Sequence, residues 1–361
     1  MDSNIDKNNK HIFYFDALRA LAILCVITIH VFMITKNNLF FSRYSIHSIH
    51  FILLQLMGNP FGVGVDIFLM LSGALLLGRK WDIKDFLSKR ITRITYPFFF
   101  WNVLFIALII ILFSNSDITI IKNFHSTNLI SFLINTVQGK EIEFCHNWYF
   151  WMIFGVYLIL PIFNKWILNS DLKELEYFLS IWLITCLFYF TIEKSFPEDL
   201  SYFTSPKGFV ILGYYLRHTK RKVLNNPYIA LIILIITSII MVYLSIILTT
   251  PDKLYNFNKY SIFTTIIGAS LFILFKNYYK FQIKFEQKKI RKFTSLLAKN
   301  SYGIYKIHNP LIYMIFYIIP VNTIGYYPTI LLIYLSAIFI PLVKLMFLNK
   351  IPLLNRIIGS G

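Results

Sequence analysis

Acid is scarce in this sequence. It has 17 Asp and Glu against 35 Lys and Arg, and only 14% of its 361 residues are charged. A soluble domain of that length needs a charged, solvated surface, which this chain cannot supply. Cysteine is nearly absent as well. Cys25, Cys145 and Cys186 are too few for a disulfide framework, and no ligand spacing for a metal is visible. No small-residue cleavage site follows the first apolar run, so that run reads as a retained helix rather than a signal peptide. Nor is there an internal repeat.

What fills the chain is apolar. Hydrophobic residues make up 57%, and several windows exceed the roughly 18 apolar residues that cross a bilayer. The expected fold is all-α, a polytopic membrane bundle of about ten helices. The spans fall near 13–35, 53–78, 94–114, 147–166, 177–194, 205–217, 228–249, 259–276, 296–319 and 327–348. Residues 13–348 are expected to form the membrane domain, with short tails at 1–12 and 349–361 and no appended soluble domain. An apolar segment, 129–137, is expected to lie on the membrane surface or re-enter it.

The formal charge of +18 invites a nucleic-acid reading. Its distribution argues otherwise. With the N-terminus inside, 24 of the 35 Lys and Arg fall in cytoplasmic connections, eight lie on the outer side, and Arg19, Lys299 and Lys306 lie within spans. Positive charge is retained on the cytoplasmic face, so both termini are expected there. The basic runs then orient the helices and contact anionic membrane lipids. No basic patch extends beyond a membrane-flanking loop, so nucleic acid is not an expected partner.

Ionisable groups inside spans mark candidate sites, because they are expensive there. The first span, FYFDALRALAILCVITIHVF, carries Asp16, Arg19 and His30. Arg19 and His30 are eleven residues apart, close to a whole number of turns, so they share a face about 16 Å apart along the axis. A histidine can accept and return a proton near neutrality, and it can equally be a core residue bonded to a carbonyl. Arg90 and Arg93, three apart in SKRITRITYP, present two guanidinium forks on one face. Such forks suit phosphate oxygens, and positive-inside arginines are the plain alternative. Asp66, in GVGVDIFLMLSGALLLG, can orient His30, pair with a lysine or cap a helix break near Gly62-Val63-Gly64. Glu143, His146 and Trp148 stand at the outer mouth of the fourth span as acceptor-side candidates, the tryptophan also suiting an interface anchor. His308, in NSYGIYKIHNPL, sits mid-span, where Pro310 frees a carbonyl that can satisfy it.

Taken in order, FDALRALAILCVITIH, GVDIFLMLSG, RITRITYPFF, HNWYFWMIFGVYLILPIF and NSYGIYKIH resemble the integral-membrane acyltransferases of the acyltransferase-three type. The likeness covers roughly residues 13–320 and is strongest to standalone members that O-acetylate enterobacterial common antigen. The resemblance implies transfer of an acyl group, acetyl above all, from cytoplasmic acyl-CoA to a hydroxyl of an extracytoplasmic glycan or lipid-linked sugar. It implies a cell-membrane location and no bound cofactor beyond the acyl-CoA co-substrate. By motif match His30 is the catalytic residue, as base or acyl carrier, and Arg19, Arg90 and Arg93 hold the CoA phosphates. Asn147 and Lys306 depart from the pattern, standing where relatives are often apolar. A glycan or lipid-linked-sugar transporter is the rival reading. Transporters often show paired, interrupted helices from repeats, and none is found here. The sequence leaves the oligomeric state open.

Overall fold

The first apolar run forms one unbroken helix, α1 (Phe13–Thr35), in the computed structural model. The structure describes residues 12–36, 45–46, 48–113, 129–138, 146–192, 206–250, 255–278, 288–319, 324–352, 354 and 357–359. After α1 come α2 (Ile49–Gly58) and α3 (Gly64–Leu76), two halves of one membrane-length segment. The second expected span is helical in two pieces, and the break falls beside the expected position near Gly62-Val63-Gly64. A 3-10 turn at Pro60–Val63 interrupts it. Pro60 has no amide hydrogen to continue the α-helical ladder, and Ser48 begins α2 by accepting from the Phe51 amide.

The chain continues through α4 (Ile83–Phe113), α5 (Leu129–Gln138), α6 (Trp148–Asn169) and α7 (Leu172–Thr185), whose end widens into a π-helical stretch, Cys186–Ile192. It ends with α8 (Lys207–His218), α9 (Pro227–Ile247), α10 (Ile262–Lys276), α11 (Lys288–Ile318) and α12 (Tyr326–Leu348). Caps follow the sequence. Asp171 opens α7, Asn226 with Pro227 opens α9, and Ser261 opens α10.

Each of the ten expected spans is helical, and the protein is a polytopic helical membrane protein. Seven segments are long and apolar enough to cross a bilayer. The short α8 and α10 have 12 and 15 residues. Helix α11 has length to spare, with 31 residues, but its second half mixes Ser301, Lys306, His308 and Asn309 among apolar residues. The side chains that make α11 a poor span are those that build the site below.

Helix α1 lies at the centre. It packs along α11 and also touches α2, α3, α10 and α12. Two glycines let α3 and α8 press backbone to backbone. A methyl at Gly73 would sit 1.7 Å from the Val210 carbonyl oxygen, and one at Gly213 would sit 1.9 Å from that of Met70. Gly64 does the same for α3 against α1, with a Cβ 2.7 Å from the Ala22 carbonyl. Small residues permit such approach where apolar burial alone cannot drive helix association. The last residues fold back on the bundle. Ile358 is buried, its carbonyl accepts from Trp101 Nε1 at 3.1 Å, and the Gly359 carbonyl accepts from the Gly303 amide.

Candidate active site

Arg19 of α1 and Arg90 and Arg93 of α4 line one cavity of about 1050 Å³. The three arginines lie within electrostatic range of one another. Arg19 has a distant acid, Asp16 at 3.9 Å one turn away. Arg79 and Lys299 line the same cavity; in the sequence Arg79 counted among the cytoplasmic orientation charges and Lys299 as a charge within a span. So do Asn349 and Gly359, so the segment read as a short tail supplies part of the wall. The deep wall is aromatic. Tyr149 of α6 and Tyr305 of α11 stand there with ring centroids 4.5 Å apart.

Beyond those tyrosines three histidines meet. His30 Nδ1 is 2.8 Å from His308 Nε2. The His146 ring stacks on His30, centroids 4.1 Å apart and planes 22° from parallel. His308 Nδ1 faces the Ile304 carbonyl at 3.0 Å. That carbonyl is four residues back along α11. It is not the carbonyl of Lys306, the one Pro310 deprives of an amide partner. Asn309 Nδ2 lies 2.8 Å from His146 Nε2.

His146 holds this place at some backbone cost. Its φ is +44°, the left-handed region, and it is the only non-glycine with positive φ among the described residues. Such a conformation costs on the order of 1–2 kcal/mol and persists where its surroundings fix it. Here Tyr305 Oη and the Tyr149 amide both donate to the His146 carbonyl, each at 3.3 Å, and Asn309 holds the ring.

The next residue, Asn147, is fully buried and fully used. Its amide donates to Asn102 Oδ1 at 3.0 Å and to the Thr136 carbonyl at 2.6 Å. Its oxygen accepts from Lys306 Nζ at 3.1 Å. Lys306 is 3% exposed and also lies over the Phe98 ring. The two departures from the family pattern are thus one pair: a buried lysine and the amide that solvates it. The same amide ties α5 to the start of α6, and Trp151 Nε1 adds a bond to the Val137 carbonyl.

Asp66 sits in the first turn of α3, immediately after the 3-10 break, and is completely buried. No bond joins it to His30, whose Nδ1 faces His308 instead. Neither carboxylate oxygen has a hydrogen-bond partner among the described residues. Thr264 stands beside it, but that hydroxyl already donates to the Lys259 and Ser261 carbonyls. The nearest cation acting on Asp66 is Lys259, in the connection before α10. Lys259 Nζ rests 3.0 Å from the centroid of the Trp148 ring. Burial brings its pKa down to about 8, with the Asp66 charge pulling the other way. Trp148 is therefore covered by a cation from a connection that sequence reading had not assigned to the site. Glu143 lies outside the described residues, as do Glu141 and Cys145.

One end thus offers cations around a wide cavity. The other offers half-buried and buried imidazoles in a hydrogen-bonded cluster, with no group of His, Cys, Asp or Glu arranged to hold a metal among the described residues. The Acyl_transf_3 family model, described as an acyltransferase domain, matches residues 12–346. No curated protein and no solved structure matches the chain.

Proposed function

This chain belongs to the Acyl_transf_3 family of membrane acyltransferases, and we propose that it moves an acetyl group from cytoplasmic acetyl-CoA to a hydroxyl of an extracytoplasmic glycan or lipid-linked sugar. The observation that carries this is the sequence of surfaces along α1. An arginine-lined cavity ends at two tyrosines, and three histidines lie behind them.

On this reading the arginines hold the phosphates of the donor by charge-assisted, two-pronged hydrogen bonds. Arg79 and Lys299 add to the same field. The long pantetheine arm runs along the wall that Tyr149 and Tyr305 form and brings its thioester toward His30. The distance from Arg19 to His30, about 16 Å along the helix, is what such an arm must cover. His30 takes the proton from the sugar hydroxyl as the oxygen attacks the thioester carbonyl. Trp148, Lys259 and Glu143 belong to the acceptor side. The arginine end faces the cytoplasm of a cell membrane and both termini share that side, by the charge asymmetry of the connections. The family match favours transfer over transport.

The test is direct. Purified protein given acetyl-CoA is expected to release CoA thiol, faster when a surface polysaccharide or lipid-linked oligosaccharide is added. Protein that binds acetyl-CoA yet moves no acetyl group to any hydroxyl acceptor in a panel of envelope glycans would remove the proposal.

A further inference from the structure

We infer that His308 is a positioning residue that fixes which nitrogen of His30 carries the proton, leaving His30 Nε2 as the lone-pair base. The inference rests on the reading of His30 as base and adds to it how the base is set.

It begins with a carbonyl. The Ile304 oxygen can only accept, so His308 Nδ1, 3.0 Å away, must be the protonated nitrogen of that ring. A neutral imidazole has one N–H, so His308 Nε2 presents a lone pair. His30 Nδ1 is 2.8 Å from that lone pair. Two lone pairs at this distance would repel, so His30 donates through Nδ1. Its own Nε2 is then unprotonated, and the ring's other polar neighbour is the Val26 backbone one turn back on α1. The tautomer of a histidine is set by the bond its other nitrogen makes. Here the setting runs from carbonyl to His308 to His30.

The same reasoning assigns the other two rings. Both His308 nitrogens are committed, one to Ile304 and one to His30, so His308 has none left for a substrate. The Asn309 amide nitrogen donates to His146 Nε2. His146, stacked flat on His30, limits how far that ring can tilt. The order is rigid: His308 and Ile304 are fully buried on α11, which packs along α1.

The proton balance closes. The acceptor O–H bond breaks and its proton goes to His30 Nε2. The oxygen forms a bond to the thioester carbon, and the C–S bond breaks. The proton then passes to the departing sulfur, giving ester and CoA thiol. While His30 holds both protons, its Nδ1–H to His308 becomes a charge-assisted bond, stronger in the transition state than before it.

The test reads the tautomer itself. Nitrogen-15 histidine spectra of the full chain in lipid at pH 8, with His30 assigned by its loss in His30→Gln, are expected to show His30 protonated on Nδ1. His308→Ala should mix the tautomers and lower kcat by on the order of tenfold or more, part of the 10²–10⁴ a placed base supplies. The KM for acetyl-CoA should stay unchanged. His308→Gln keeps an acceptor oxygen, so it should keep the tautomer and regain most of kcat; it also serves if the alanine variant does not fold. Wild-type His30 protonated on Nε2, or a tautomer indifferent to His308→Ala, overturns the relay while leaving a base at His30 standing. Normal transfer by His30→Gln overturns the base and with it the purpose assigned to His308.

Discussion

The two ends of α1 solve opposite problems. Around Arg19 the cavity is wide, and its cations Arg79, Arg93 and Lys299 are exposed. Around His30 every ring is held by a neighbour, and the backbone at His146 accepts strain to keep the stack. Exposed guanidinium forks can adapt to a flexible phosphate ligand and release it again. A fixed, partly dry set of imidazoles suits chemistry, where geometry matters more than adaptability. On the proposed function one helix separates holding from reacting, and a mutation at either end should leave the other function intact.

The largest expected effect is at the reacting end. His30→Gln can hydrogen-bond but cannot titrate, and should lower kcat by about 10²–10⁴. Acetyl transfer by folded, detergent-extracted protein measures it. If Asp66 also serves the base through the field it shares with Lys259, Asp66→Asn should add little once His30 is gone.

A step down in size is the holding end. Arg90→Ala or Arg93→Ala removes a charge-assisted bond, worth about 1.5–3 kcal/mol, and should raise the KM for acetyl-CoA about 10–100-fold with little change in kcat. Lysine at either position should rescue only in part, keeping charge but not the fork. Initial rates across a range of acetyl-CoA concentrations decide this. A fall in kcat at constant KM would blur the division between the ends.

Smaller still is the support beneath the histidines. Lys306→Met strands the buried Asn147 oxygen and should cost about 1–3 kcal/mol of stability. Pairing it with Asn147→Leu should cost less than the two singles together, because each single leaves the other group unsatisfied. Unfolding midpoints in a fixed detergent report the coupling, and strict additivity would mean the bond at 3.1 Å carries none.

The smallest effect is a titration. Lys259 loses its proton near pH 8 in the folded protein, against 10.5 ordinarily. Between those values the unfolded chain binds the extra proton, so this residue makes stability rise with pH across that window. Because its ammonium lies on the Trp148 ring, the fluorescence difference between wild type and Trp148→Phe should change with a midpoint near 8. The change should vanish in Lys259→Met.

Much of this was legible because membrane helices announce themselves by composition. All ten expected segments are helical, and the shared face of Arg19 and His30 follows from helix geometry alone. The break in the second span was legible near Gly62-Val63-Gly64, and the structure starts it at Pro60. What was illegible depends on packing between distant helices. Nothing local tells that His308 and not Asp66 takes the His30 nitrogen, since the choice depends on how α11 and α3 rotate against α1. Lys306 and Asn147 read as two separate oddities 159 positions apart until the fold joins them. Arg79 carried only an orientation meaning and Lys299 none beyond lying within a span, because a cavity wall has no sequence signature.

The separation of holding from reacting is tested most directly by equilibrium binding of a non-transferable acetyl-CoA analogue to wild type, His30→Gln and the Arg90→Ala/Arg93→Ala double variant. Binding by His30→Gln is expected to match wild type while its transfer is lost, and binding by the arginine double variant to weaken by about tenfold or more. Equal affinity in all three proteins, or weakened binding in His30→Gln alone, would contradict it.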